Sequence, residues 1–358
     1  KQLAQDVIAL FNAMLGSDAG LTDSTSLRDD SSFEAHFELK QLISVGCYGF
    51  IYIGANKQTG QDFAIKLESR QCKYTRVLYE ARVYKSLVRT HAKASAEKEG
   101  LDSSLAVVPR VHWQGVVDRH NVMVMDLLGP SLEDVFAGRN RHFDCDELAR
   151  LGMKMVDCVE YIHSCGFIHR NIEPANFVLG LANADQLHLI DHGLTKKYWH
   201  GKSHEHIAHE TDKPFLGNKF FASVNAHAGL QQSRRDDLES VAYVLIYLLK
   251  GVLPWMKQSR YSEQRQLARI MKLKTSLSAR KLCERLPTQF AEFLRYCRSL
   301  SFEEAPNYSH LTELMHQVCA FESGNLETLP DFDDYSYDFV CDWKVHMVKP
   351  CASIDARK

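Results

Sequence analysis

Excess charge of either sign is missing from this 358-residue sequence: 43 Lys and Arg stand against 45 Asp and Glu, a formal net charge of -2. That balance gives no electrostatic reason to expect nucleic acid or an anionic membrane as the main partner. Long apolar runs are also missing. The longest covers residues 241–249, is stopped by Lys250, and is too short to cross a bilayer. The 10 cysteines are scattered and none forms a CxxC pair, which argues against a zinc ribbon or a thioredoxin-type motif. Such thiols suit a reducing compartment, where they act mostly as small buried hydrophobes. No signal-peptide pattern follows Lys1, and no internal repeat is visible. The expectation is a soluble intracellular protein, cytoplasmic and/or nuclear, that works with protein partners or protein substrates. Nothing in the pattern sets an oligomeric state.

What is present is ample apolar material, 45% of the residues, enough for one large two-lobed unit or two ordinary domains. Residues 2–15 carry one helical stripe (Leu3, Val7, Ile8, Leu10, Phe11, Met14, Leu15) ended by Gly16, expected to dock on the protein's own surface rather than on a partner. A polar linker follows to residue 32. Period-two patterning then predicts strands over 37–45, 50–56, 62–68, 107–116 and 121–127. A helix is predicted over 77–88, followed by a charged surface loop over 90–104. Beyond Gly129-Pro130 the pattern turns helical, over 132–136, 145–164, 235–250 and 287–299, with short strands near 176–179 and 187–190. The division reads as a leading segment 1–32, a β-rich part 33–128, a mainly helical part 129–344 and a tail 345–358. A small β-rich part followed by a larger helical one is the outline of a protein kinase.

The motifs agree with that outline. Ser44-Val45-Gly46-Cys47-Tyr48-Gly49 lies between two predicted strands, where bare backbone can approach phosphates closely, although Ser44 stands where a kinase has its first glycine. Phe63-Ala64-Ile65-Lys66 has the form of the strand bearing a phosphate-binding lysine, and Glu80 is placed to hold it from the next helix. Gly166-Phe167-Ile168-His169-Arg170-Asn171-Ile172-Glu173-Pro174-Ala175-Asn176-Phe177, then Leu189-Ile190-Asp191-His192-Gly193, match a kinase catalytic loop and metal-binding loop in order and spacing. Further along, Asp126-Leu127-Leu128-Gly129-Pro130-Ser131-Leu132-Glu133-Asp134, Ala222-Ser223-Val224-Asn225, Gln232-Ser233-Arg234-Arg235-Asp236-Asp237, Leu253-Pro254-Trp255 and Phe302-Glu303-Glu304-Ala305-Pro306-Asn307-Tyr308 complete the series, with Tyr337-Asp338-Phe339 near the end. In these segments the sequence resembles the casein kinase I family of serine/threonine kinases, from about residue 37 to 343.

The resemblance implies an α+β, bilobal protein kinase fold with ATP and Mg2+ as cofactors. It implies nucleotide contacts from Gly46, Gly49, Ala64, Lys66 and Glu80, with Met125 lining the adenine pocket and the backbone of Asp126 and Leu128 bonding the base. Asn176 and Asp191 would ligate magnesium through hard oxygen atoms, and Asp237 would anchor the catalytic loop. Asn171, however, takes the place of the catalytic aspartate. An amide cannot accept a proton at neutral pH, and a positioned base is worth ~10²–10⁴-fold in rate. Glu173 takes the place of the lysine that reaches the transferred phosphate; each of the two charge units moved opposes transfer by about 3 kcal/mol at roughly 5 Å. Phe220 falls at a basic substrate-reading position of the family, with Lys219 adjacent. The sequence therefore reads as a pseudokinase that retains ATP and magnesium and acts as a scaffold or regulator. The alternatives are a slow but genuine serine/threonine kinase, or a rigid body that binds partners through the helix at 2–15 and the loop at 90–104.

Two other clusters carry less. His200, His204, His206 and His209, with Glu205 and Glu210, lack metal-ligand spacing and fall in a segment expected to be exposed. Lys272, Lys274, Arg280 and Lys281 are expected on a solvated helix face.

Overall fold

The computed structural model describes residues 33–46, 49–72, 74–97, 107–200, 205–256 and 262–323. The predicted helix at 2–15, the linker after it, the Tyr337 motif and the tail lie outside the described residues. The chain divides into two compact units. Among the described residues, one holds 33–82 and 109–128, and the other holds 83–108 and 129–323.

The first unit opens with a short helix, α1 (Phe33–His36), and runs directly into β1 (Phe37–Gly46). Strands β2 (Gly49–Asn56), β3 (Asp62–Ser69), β4 (Val111–Val117) and β5 (His120–Asp126) complete an antiparallel sheet in the order β1-β2-β3-β5-β4. Alternation dictates its two faces. Phe63, Ile65 and Leu67 of β3 join Tyr52, Val122 and Val124 in one apolar cluster, closed by Phe33, Phe37 and Trp113. Ala64 and Lys66 take the intervening positions, Ala64 paired with Met125 and Lys66 with Met123.

Helix α2 (Val77–Glu97) is placed by the buried Glu68 of β3, which accepts from the backbone amides of Arg76 (2.7 Å) and Val77 (3.3 Å). A carboxylate at a helix N-terminus satisfies otherwise unpaired N–H groups and complements the macrodipole. This helix is longer than the sequence suggested, since residues 90–97 continue it instead of forming a loop. Charge there misled: Ala92, Lys93, Ala94 and Glu97 favour helix, and neither glycine nor proline interrupts them before Gly100.

The second unit is mainly helical. It comprises α3 (Leu132–Gly138), α4 (Cys145–Ser164), β6 (Phe167–Ile168), β7 (Phe177–Leu179), β8 (Leu187–Leu189), β9 (Lys196–Lys197), β10 (Trp199–His200), β11 (Glu205–His206), α5 (Val224–His227), α6 (Arg234–Lys250), α7 (Glu263–Ser276), α8 (Ala279–Leu282), α9 (Thr288–Ser299) and α10 (Tyr308–Ser323). Its centre is α6, buried at every position from Asp236 to Leu248 and packed against α4 and α9, while α10 covers α4. Its later turns, Val241 to Leu248, are apolar and buried on every side, so this run belongs to a core. No helix among the described residues is long and apolar enough to cross a membrane. Strands β7 and β8 pair antiparallel, and the turn between Ile168 and Phe177 carries the catalytic-loop sequence.

Candidate functional site

In the first unit, Lys66 Nζ donates to Glu80 Oε2 at 2.7 Å, with Glu80 only 1% exposed. Burial makes this pair strongly interdependent: removing one member leaves the other charge uncompensated. Met125 is buried at the end of β5, opposite Ala64. The Asp126 side chain is taken up within this unit, accepting from the Arg110 amide at 2.8 Å and meeting His112 Nε2 at 2.6 Å. Neither the amide nor the carbonyl of the half-buried Leu128 has a backbone partner among the described residues. Gly46 and Gly49 close the β1–β2 ladder as a register pair. At Gly49 the backbone φ is +147°, and a Cβ there would stand 1.9 Å from the Leu67 carbonyl oxygen. Only glycine fits so close an approach. Residues 47 and 48 of this turn lie outside the described residues.

In the second unit the catalytic-loop sequence hangs from one buried carboxylate. Asp237, on α6 and 1% exposed, accepts from the backbone amides of His169 (2.7 Å) and Arg170 (2.8 Å) and from His163 Nε2 (2.9 Å). Burial alone would raise its pKa, yet these donors hold it below the ordinary aspartate value. Arg170, in the turn it grips, and Asp191, just after β8, both adopt strained positive φ, 66° and 65°. His169 carries its proton on Nε2, because that nitrogen faces the Ile190 carbonyl at 3.0 Å while Nδ1 accepts from the Asn171 amide at 3.2 Å. Burial lowers its pKa, keeping the ring neutral. His192 stacks edge-on against Tyr84 (4.8 Å) and His169 (4.9 Å), so three aromatic rings form one column.

Around that frame four predicted residues come together with one that sequence reasoning did not name. Asn171 Nδ2 donates to Asp191 Oδ2 at 3.1 Å. Asn176 Nδ2 donates to the Asn171 carbonyl at 2.8 Å, with Glu173 Oε1 3.4 Å away, and this orientation leaves Asn176 Oδ1 as the oxygen available to a cation. Glu173 Oε2 accepts from Asn218 Nδ2 at 2.5 Å. Burial raises the Glu173 pKa, the Asn218 hydrogen bond opposes that rise, and the negative charge of Asp191 adds to it. Asn218 Oδ1 in turn accepts from the Phe220 amide at 2.9 Å. Gly217, at φ +105°, lets this segment pass the catalytic loop, since a Cβ would meet the Arg170 carbonyl oxygen at 2.6 Å. No sequence signal pointed to Asn218, which is an ordinary loop residue 45 positions from its partner.

The donor set fits magnesium. Asp191 and Asn176 present hard oxygen atoms, the ligands this cation takes. The set lacks a base at Asn171, and it lacks a cation at Glu173. Lys219 meets Gln266 at 2.7 Å and lies over the Phe220 ring at 5.3 Å.

Of the histidine segment, His204 lies outside the described residues, and among the described residues no group of three or more His, Cys, Asp or Glu is placed to hold a metal ion. His206 and His209 instead pack against Phe302 at 4.8 and 4.9 Å. The expected solvated lysine face is overturned at one position. Lys274 is 0% exposed, its Nζ donating to the Ala222 carbonyl and lying over the rings of Tyr243 (4.6 Å) and Trp255 (5.1 Å). A carbonyl and two aromatic faces replace its water, and burial pushes its pKa well below the usual lysine value. Lys272, two positions away, is exposed as expected.

The family model described as the protein kinase domain matches residues 37–318, well over half of the chain. The chain belongs to the protein kinase family.

Proposed function

We propose that this protein kinase domain is a casein kinase I-type pseudokinase, which holds ATP with magnesium, transfers phosphate slowly or not at all, and works through protein contacts as a scaffold or regulator in the cytoplasm or nucleus. The observation that carries this reading is the pair Asn171 and Glu173 in an otherwise intact catalytic-loop frame. Lys66, steadied by Glu80, would hold nucleotide phosphates. Ala64, Met125 and the backbone of Asp126 and Leu128 would receive the base. Asn176 and Asp191 would hold magnesium, whose chemistry when bound is to neutralise charge on the phosphates. Asn171 can orient a hydroxyl but cannot take its proton, and its amide is already given to Asp191. Glu173 would set a negative charge beside an oxyanion.

Thermal unfolding tests the reading. A rise in melting temperature with ATP and magnesium, lost in Lys66→Met, is the expected result; binding at a hundredfold excess over Kd adds about 2.7 kcal/mol of stability. No shift at millimolar nucleotide removes ATP from the account. Robust magnesium-dependent phosphorylation of an acidic peptide, abolished by Lys66→Met, would sink the pseudokinase reading. The Asp237 clamp favours a second reading, a slow genuine kinase, because it holds the loop backbone in working form.

A further inference from the structure

Glu173 has a use besides obstructing transfer. In the kinase frame the magnesium site is poor in protein ligands, with Asp191 and Asn176 only, so the nucleotide's phosphates supply the remaining negative charge. Here a second carboxylate is tied to Asn176 directly and to Asp191 only through Asn171. Glu173 Oε1 is 3.4 Å from Asn176 Nδ2, which also bonds the Asn171 carbonyl at 2.8 Å, and Asn171 Nδ2 in turn bonds Asp191 Oδ2 at 3.1 Å. Asn176 is 7% exposed and spends its amide hydrogens on the Asn171 carbonyl and Glu173, while its Oδ1 accepts no hydrogen bond among the described residues. Asn218 fixes Glu173 from the far side through Oε2 at 2.5 Å, as outer-shell partners orient metal-ligating carboxylates. Amide hydrogens from Asn171 and Asn176 link the two carboxylates, Asn218 holds Glu173, and among the described residues no cationic side chain bonds Glu173.

We infer that Glu173 is an added ligand that lets the Asp191–Asn176 site take up a hard divalent cation, Mg2+ or Mn2+, without nucleotide. The inference rests on the reading that this loop holds magnesium. It goes further in making cation binding independent of ATP, so that the swap of lysine for glutamate changes what the loop binds as well as what it fails to catalyse. Such a chain carries its cation before nucleotide arrives, or in its absence.

The test is calorimetric titration of the full chain with MgCl2 or MnCl2 and no nucleotide, beside Glu173→Gln and Asn218→Ala. The wild-type chain is expected to bind one cation. Glu173→Gln, which still accepts from Asn218, is expected to bind at least about 10-fold more weakly, and Asn218→Ala about 10-fold more weakly through the lost orientation. Melting temperature in chelator checks that Glu173→Gln remains folded. No binding by the wild-type chain up to about millimolar cation, or equal affinity in Glu173→Gln, overturns the inference. The outcomes also separate the two readings. An ATP-dependent shift without cation binding alone leaves the proposed function standing and removes this inference. Cation binding with no response to ATP does the reverse.

Discussion

Lys66–Glu80 and Glu173–Asn218 are both short contacts to a largely buried carboxylate, and they leave opposite states of charge. Lys66 cancels Glu80. Asn218 offers Glu173 a hydrogen bond but no charge, and Asp191 adds a like charge nearby. Yet the loop that leads to Glu173 is firmly held, with Asp237 gripping the consecutive amides of His169 and Arg170. The contrast teaches that frame and chemistry separate cleanly in this molecule. The side chain that grips the loop backbone is present at Asp237, while Asn171 and Glu173 fill the positions of base and cation.

The largest effect should come from giving both regions the same charge logic. Asn171→Asp combined with Glu173→Lys restores a base and a cation, and is expected to raise transfer to an acidic peptide by ~10²–10⁴-fold, measured with labelled ATP. Asn171→Asp alone should gain far less, because it adds a carboxylate beside Glu173 and Asp191. Equal gains from the single and double variants would show that Glu173 is no obstacle, and the contrast would break there. Next is Lys66→Met, which strips the balanced pair of its cation and strands Glu80. It should cost about 3–5 kcal/mol in urea unfolding, with Glu80→Gln in the same chain recovering part of the loss. Full stability of Lys66→Met would mean that the pair is not the balanced element described.

The smallest effect lies away from both. Burial, then Lys274, hold His227 down to about 3, and its Nε2 donates to the Lys219 carbonyl at 2.9 Å. Between that value and the ordinary 6.5 the unfolded chain binds a proton that the folded chain refuses. Stability from this group is therefore full above pH 6.5 and is lost on acidification, by about 2 kcal/mol between pH 6.5 and 5. Urea midpoints at the two pH values should converge by that amount in His227→Gln. An unchanged acid sensitivity would assign the loss to His163 and His169, whose pKa values burial also lowers.

Much of this was legible in the sequence because order and spacing survive local change. The catalytic-loop register from His169 to Asp191 located Asn171 and Glu173 by order and spacing alone, and period-two alternation located β3 with Lys66 on the opposite face from Ile65. What escaped reading was contact across distance. Asn218 carries no chemical signature until the segment after Gly217 folds back onto the catalytic loop. Lys274 looked solvated because lysine usually is. Its burial depends on Tyr243 and Trp255, which sequence alone does not bring to it. The extension of α2 through Glu97 was hidden by charges that a helix tolerates readily.

His192 has a consequence of its own. Its Nε2 faces the Leu189 carbonyl at 3.2 Å and must carry the proton, so Nδ1 accepts from the Thr195 hydroxyl at 3.0 Å. A phenyl ring in that buried slot could swing out and sacrifice only packing. This imidazole is bolted at two points along its rim, and leaving would break both bonds, at about 1 kcal/mol each, on top of the lost packing. The loop bearing Asp191 is thereby biased toward a single posture, so whatever docks there meets a surface already set.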